Sequence, residues 1–276
     1  MPFPESPRVI YEKNPLAEVI CQLRFPAILR IDSEIPAEYQ ERLRDEYPIF
    51  SEVAHQDVKL NLPPEIEKLV GAGGSMLSFR GRATYDFVSA DGLWKVQLSR
   101  EALTLFTGQY ERWEQFKDHL KNAVKALVDV YSPSFYTRVG LRYKDVIRRS
   151  SLGLSEVEWS ELLKPHIAGE LSSADIAEDI VFLANQTRVR MENDETQVLI
   201  NHGLGTNQDN ERCYLIDSDF SVERRTEVKD ALQVLDYFNR QAGRLFRWCI
   251  TDRLHEAMHP QLLPGELEQQ ISQPAA

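Results

Sequence analysis

Apolar and polar residues alternate from Glu18 to Phe25, with Val19, Cys21, Leu23 and Phe25 on one side and Glu18, Gln22 and Arg24 on the other. That is the pattern of a half-buried strand; only Ile20 breaks it, and Pro26 ends it. Pro36 suits a first helical position, and Tyr39, Leu43 and Tyr47 follow four apart before Pro48, so 36–47 predicts a short helix. Four strands are predicted at 76–82, 84–89, 93–98 and 102–107, with Asp91-Gly92 as a hairpin turn. Trp113, Phe116, Leu120, Val124, Leu127 and Tyr131 recur at helical spacing within 110–131, and Ser132-Pro133 closes that helix.

The second half starts the same plan again. Residues 137–146 alternate with Val139, Leu141 and Tyr143 inward, and Leu141-Arg142-Tyr143 echoes Leu23-Arg24-Phe25. A helix at 156–164 is stopped by Pro165, strands follow at 180–185, 187–192, 196–202 and 213–220, and a long helix is predicted from 227 to 259. The fold class expected is α+β: a strand-helix-four-strand-helix unit given twice, as 1–133 and 134–276, with antiparallel sheets. The alternative is two unrelated α+β units. This order of elements is similar to the duplicated fold of the TATA-box-binding protein, an analogy that carries no function with it. A helix-grip domain with a lipid-sized cavity is the nearest competitor.

Composition narrows the class further. The chain has 276 residues, 42% hydrophobic and 27% charged, which excludes collagen-like and disordered chains. No stretch approaches the roughly 18 apolar residues of a membrane helix, and the first residues hold no apolar leader, so a cytoplasmic protein with no membrane partner is expected. Cys21, Cys213 and Cys249 are too few and too scattered for a disulfide framework or a thiolate zinc site. The net charge of −11 disfavours nucleic acid unless basic residues gather on one face.

The run Tyr11-Glu12-Lys13-Asn14-Pro15-Leu16, continuing as Glu18-Val19-Ile20-Cys21-Gln22-Leu23-Arg24-Phe25-Pro26, resembles the opening of a sporadically distributed family of uncharacterised bacterial proteins. Arg138-Val139-Gly140-Leu141-Arg142-Tyr143 and Ile250-Thr251-Asp252 with Leu254-His255 are similar to later parts of the same family. The resemblance implies a bacterial, intracellular origin, and its patchy distribution points to mobile-element or defence loci. It implies no activity, cofactor or catalytic residue.

Three features bear on function. His255-Glu256-Ala257-Met258-His259 is a literal H-E-x-x-H, which on a helix would let His255 and His259 bind Zn²⁺ while Glu256 activates a water. Pro260 ends the helix on the second ligand and no third ligand follows, so the solvated helix end is the better reading and the zinc hydrolase the alternative. The heptad-like seam Val228, Ala231, Leu235, Phe238, Ala242, Leu245 and Cys249 predicts packing on the chain's own sheet, with a scaffold role or a homodimer contact as the alternative.

The third feature is charge on the outward strand positions. Arg24, Arg80, Arg82, Lys95, Arg138, Arg142, Lys144, Arg188 and Arg190 stand there against Glu18 and Asp86. If the two halves share a sheet, the arginines converge on a surface suited to an anionic ligand, nucleic acid or an acidic protein; otherwise they pair with acidic neighbours. Tyr85, Phe87, Trp94 and Phe79 have inward parity and read as core, with Phe106 outward, while Gly71-Ala72-Gly73-Gly74 lacks the residues of a phosphate cradle. The expectation is therefore a binding or regulatory protein that uses Arg24, Arg80, Arg82, Arg138, Arg142, Arg188 and Arg190, with no cofactor and no catalytic residue.

Overall fold

The computed structural model describes residues 2–53, 84–192, 195–207 and 210–263. Strand β1 (Val9–Tyr11) leads into β2 (Leu16–Arg24), two short helices α1 (Arg30–Ser33) and α2 (Ala37–Leu43), and the strands β3 (Ile49–Val53), β4 (Thr84–Val88), β5 (Trp94–Ser99) and β6 (Ala102–Thr107). Helix α3 (Trp113–Tyr131) closes this half; Ser132, with φ 48°, turns the chain out of it. The second half runs through β7 (Arg138–Arg148), α4 (Trp159–Leu162), α5 (Pro165–Ala168), β8 (Asn185–Arg190), β9 (Thr196–Thr206), β10 (Arg212–Val222) and α6 (Ala231–Cys249). Helix α7 (Asp252–Ala257) and β11 (Pro260–Leu262) follow.

Nine strands form one antiparallel sheet in the order β3-β4-β5-β6-β2-β7-β10-β9-β8, so the protein is α+β. Each half places its first strand of this sheet at the centre and its last strand beside it, and β2 and β7 pair with each other across the middle. The alternation read from the sequence explains the layers. Val19, Cys21 and Leu23 face the same way as their partners Tyr143, Leu141 and Val139, and together with Tyr214, Ile216 and Phe220 they form the core beneath α3 and α6. The α6 seam of Ala231, Leu235, Phe238, Ala242, Leu245 and Cys249 is buried, and the helix packs on β7 and β10 of its own chain.

Several expectations need correction. The strand expected at 180–185 does not form over 180–184: Val181 and Phe182 are exposed, Leu183 exchanges a pair of backbone hydrogen bonds with Leu204 of β9, and β8 begins at Asn185, so the second half has three strands after its short helices instead of four. The helix expected over 156–164 is only the single turn of α4, followed by α5 beyond Lys164. The long helix to 259 breaks at Ile250, which bridges to Leu163, and Thr251 restarts it as the N-cap of α7. Strand β3 was not expected. The strand at 76–82, with Phe79, Arg80 and Arg82, and the glycine loop at 71–74 lie outside the described residues. Among the described residues no helix is long and apolar enough to cross a membrane.

Candidate functional site: an arginine-rimmed cavity on the helix side

The two sides of β7 carry ionisable groups in different surroundings. Arg138, Arg142 and Lys144 point away from the helices, as their parity requires. Strand β10 meets them with Asp217 and Asp219. Arg142 donates from Nε to Asp217 Oδ1 at 2.7 Å and from Nη2 to Oδ2 at 2.5 Å, a two-pronged pair in which Arg142 is 3% exposed and Asp217 is 0% exposed. Arg138 donates from Nη2 to both carboxylate oxygens of Asp219, at 3.1 Å each. Lys144 donates to Glu18 at 2.7 Å. Burial works against the Arg142 charge, but Asp217, together with Asp219 and Glu18, more than offsets it and the guanidinium stays protonated. Gly140 makes this arrangement possible, since a Cβ there would collide with the Arg138 guanidinium lying across the strand.

The expected emergence of Arg24 and Arg142 on one exposed surface is therefore corrected. Arg24 is exposed and stands opposite Arg138, whereas Arg142 lies buried against Asp217. Arg188 and Arg190 are exposed on β8 at the far edge of the sheet. Lys95 pairs with Asp86 at 3.5 Å and lies 4.6 Å from the Phe106 ring centre, on the outward parity expected for both. The face is polar and basic at its margins but charge-compensated at its centre.

The H-E-x-x-H segment has a different task. Helix α7 ends at Ala257, and His259 adopts a positive φ of 54°, so the two imidazoles do not share one helical face. Tyr11 Oη lies 2.7 Å from His255 Nδ1, and Glu12 Oε2 lies 3.4 Å from His259 Nδ1. Backbone bonds from Glu12 to His259 and from Lys13 to Met258, with the β1–β11 pairing, complete a clasp for the N-terminal strap. Among the described residues no group of three or more His, Cys, Asp or Glu is placed to hold a metal.

The strap, residues 5–11, is tied to both long helices: Arg8 pairs with Glu114 of α3 at 2.7 Å, and Glu5 with Arg244 of α6 at 3.1 Å. Beneath it lies a cavity of about 220 Å³ whose floor includes Leu16, Tyr143 and Asp145 of the central strands and whose walls are Tyr11, Tyr110, Trp113 and Phe246. Asn14 helps to hold the entrance, accepting from the Leu16 amide and donating to the Tyr110 carbonyl, both at 3.0 Å. A bulge at Ala17 shifts the β2 register so that Leu16 faces Asp145. The rim carries Arg8, Arg112, Arg240, Arg244 and Arg247 against Glu111.

Asp145 sits at a helix-side position of β7, between Tyr143 and Ile147, where the alternation asks for an apolar residue. It is 6% exposed and has no hydrogen bond or ion pair among the described residues. Burial, and then the nearby Asp217 carboxylate, push its carboxyl well above the ordinary carboxylate range. Tyr143 and Tyr110 both donate to Asn239 Oδ1, at 3.0 and 3.3 Å, which leaves the Asn239 amide N–H groups as the donors on that side chain. Sequence reading missed Asp145, and its signal was a charged residue on the inward parity of an otherwise apolar strand.

No family model matches the chain, and no curated protein matches it.

Proposed function

We propose that this chain is a non-catalytic binding protein that holds a small anionic ligand in the cavity between the strap, α3 and α6. Asp145 carries the reading: a buried carboxyl that faces open space and lacks a partner among the described residues. A ligand that enters the cavity can complete the hydrogen bonds of this carboxyl. The preference for an anion rests on the rim, where Arg112 and Arg240 are exposed beside the N-terminus of α3, whose first turn has no side-chain cap. The anionic ligand expected from the sequence is kept, and its place moves from the strand face to the helix side. The like placement of β2 and β7 supports reading 1–133 and 134–276 as two copies of one unit, similar in plan to the TATA-box-binding protein; the cavity then lies between the closing helices of the copies.

The test is mass spectrometry of small molecules released on denaturing the purified full chain. The wild type is expected to release an anionic compound that an Arg112→Glu, Arg240→Glu variant does not. A wild type that releases none, and whose thermal midpoint no small phosphate or carboxylate raises, would overturn the reading.

A further inference from the structure

We propose that the open edge of β8 is a docking site for an extended protein segment, acidic at alternate positions, that adds a further strand to the sheet. This goes beyond the ligand reading and does not depend on it. β8 is the last strand of the sheet, so one row of its backbone groups has no strand beside it. The ladder with β9 identifies that row. Leu183 and Leu204 exchange two backbone hydrogen bonds of 3.0 Å, and Met191 donates to the Thr196 carbonyl at 2.9 Å in the same register. Alternation then turns the N–H and C=O groups of Asn185, Thr187 and Val189 toward β9, and those of Gln186 and Arg188 toward the open edge. Both of those residues are exposed, and β8 holds no proline and no register shift that would blunt the edge.

Charge selects the partner. Arg188 and Arg190 are exposed on the strand face, where Arg188 stands beside Leu199 and, one strand further in, Asp219. That aspartate is already engaged by Arg138, so the edge of an acidic protein is locally basic. A second β8 would bring arginines against arginines, which opposes pairing of two copies. Carboxylates at every second position of an antiparallel partner instead meet Arg188 and Arg190 on one face. An apolar ledge continues the edge. Val181 and Phe182 are 83% and 49% exposed although their neighbours are anchored, Ile180 through its carbonyl to Arg212 and Leu183 to Leu204. Large apolar side chains held outward between two fixed points mark a surface that a partner covers. An antiparallel segment runs from Arg190 toward Phe182, so its acidic residues come first and its apolar residues last. Main-chain bonds supply affinity in this mode, and the side chains supply selectivity.

The experiment is calorimetric titration of the full chain with the peptide acetyl-Glu-Val-Glu-Val-Thr-Val-Leu-Phe-amide, whose glutamates fall opposite Arg190 and Arg188. It is expected to bind one to one, at least about tenfold more tightly than the same peptide with lysine for glutamate. N-methylation of both glutamates, whose N–H groups face β8, should cost about tenfold, while N-methylation of the first two valines, which face away, should cost no more than about threefold. Arg188→Glu should weaken the acidic peptide and strengthen the lysine peptide, each by about tenfold, and Phe182→Ser should weaken the acidic peptide by about threefold or more. Both variants change exposed side chains and should keep the wild-type thermal midpoint. No binding of the acidic peptide would overturn the proposal. Equal binding of the lysine peptide would overturn the acidic partner. Unchanged binding after N-methylation of the glutamates, or by folded Arg188→Glu, would overturn the place of docking.

Discussion

Lys144 and Asp145 are neighbours on β7, yet they face opposite sides of the sheet and obey opposite rules. On the Lys144 side every buried charge of the central strands has a counter-charge: Glu18 for Lys144, Asp217 for Arg142, Asp219 for Arg138. On the Asp145 side a carboxyl is buried with no such partner, and burial pushes it well above the ordinary carboxylate range toward its neutral form. A compensated network is finished structure, whereas an uncompensated group beside a cavity leaves hydrogen-bonding capacity for something else. The contrast separates a stability function from a binding function within two residues.

The largest effect should come from breaking compensation. Asp217→Ala leaves Arg142 buried without its carboxylate, and a loss of about 3–5 kcal/mol is expected in denaturant melts. Arg142→Glu sets a carboxylate against Asp217 and Asp219 and should do at least as much damage. The double replacement Arg142→Met with Asp217→Leu should recover most of the loss, because apolar side chains of similar length need no counter-charge. If Asp217→Ala costs under about 1 kcal/mol, the strand face is not held by this pair.

The next effect is pH-dependent and comes from the other side. Because the folded-state carboxyl of Asp145 is raised, the folded protein binds more protons than the unfolded chain above the unfolded value of about 3.9. Stability is therefore lost as pH rises above that value, at about 1.4 kcal/mol for each unit of difference, until the folded group also ionises. Asp145→Asn has no proton to retain, so it should be more stable than wild type at pH 7 and should lose that advantage as pH falls toward 4. Asp217, Tyr11, Tyr143, Cys249 and Arg247 surround the site, and only Asp217 adds a nearby negative charge that sharpens the effect. A stability difference that does not change between pH 4 and 7 would show that Asp145 is already ionised in the folded protein.

How much of this was legible follows from what each residue does to a local pattern. The central strands were readable because Val19, Cys21, Leu23 and Val139, Leu141, Tyr143 keep strict alternation against one core. The compensation was missed because Asp217 and Asp219 lie 75 and 81 residues from their arginines; the β7–β10 register brings them together. Ile180-Val181-Phe182-Leu183 read as a strand because the apolar run looks like one, whereas in the fold Leu183 reaches β9 through paired backbone bonds to Leu204 while Val181 and Phe182 stay exposed. The α6 seam was right through Cys249, but the branched Ile250 and the capping Thr251 had already marked a restart that the H-E-x-x-H obscured. For the cavity, no periodicity argument brings strap, floor and two helices together, and Asp145 alone broke the parity.

Gly243→Ala sharpens the comparison from the cavity side. An alanine at an open helical position should stabilise the free protein by about 0.5–1 kcal/mol, measurable as a higher denaturant midpoint. A loss instead would mean that α6 needs the glycine for its own packing.

The smallest effect is expected where the two sides can be compared at matched positions. Arg24 and Arg142 occupy equivalent places in the Leu-Arg-aromatic strands, and sequence alone treats them alike. In the folded sheet Arg24 is exposed at the end of β2 and faces Arg138, while Arg142 lies enclosed by the aspartates of β10. Arg24→Glu should therefore change stability by no more than about 0.5 kcal/mol, against several for Arg142→Glu. The change should favour the folded state slightly, because replacing a like-charged cross-strand neighbour of Arg138 with a carboxylate turns repulsion into attraction. Salt should erase that gain, since a solvent-exposed pair is screened over about 10 Å at 0.1 M. A large loss in Arg24→Glu would mean that Arg24 belongs to the compensated network after all, and the division between the centre of the strand face and its margin would have to be redrawn.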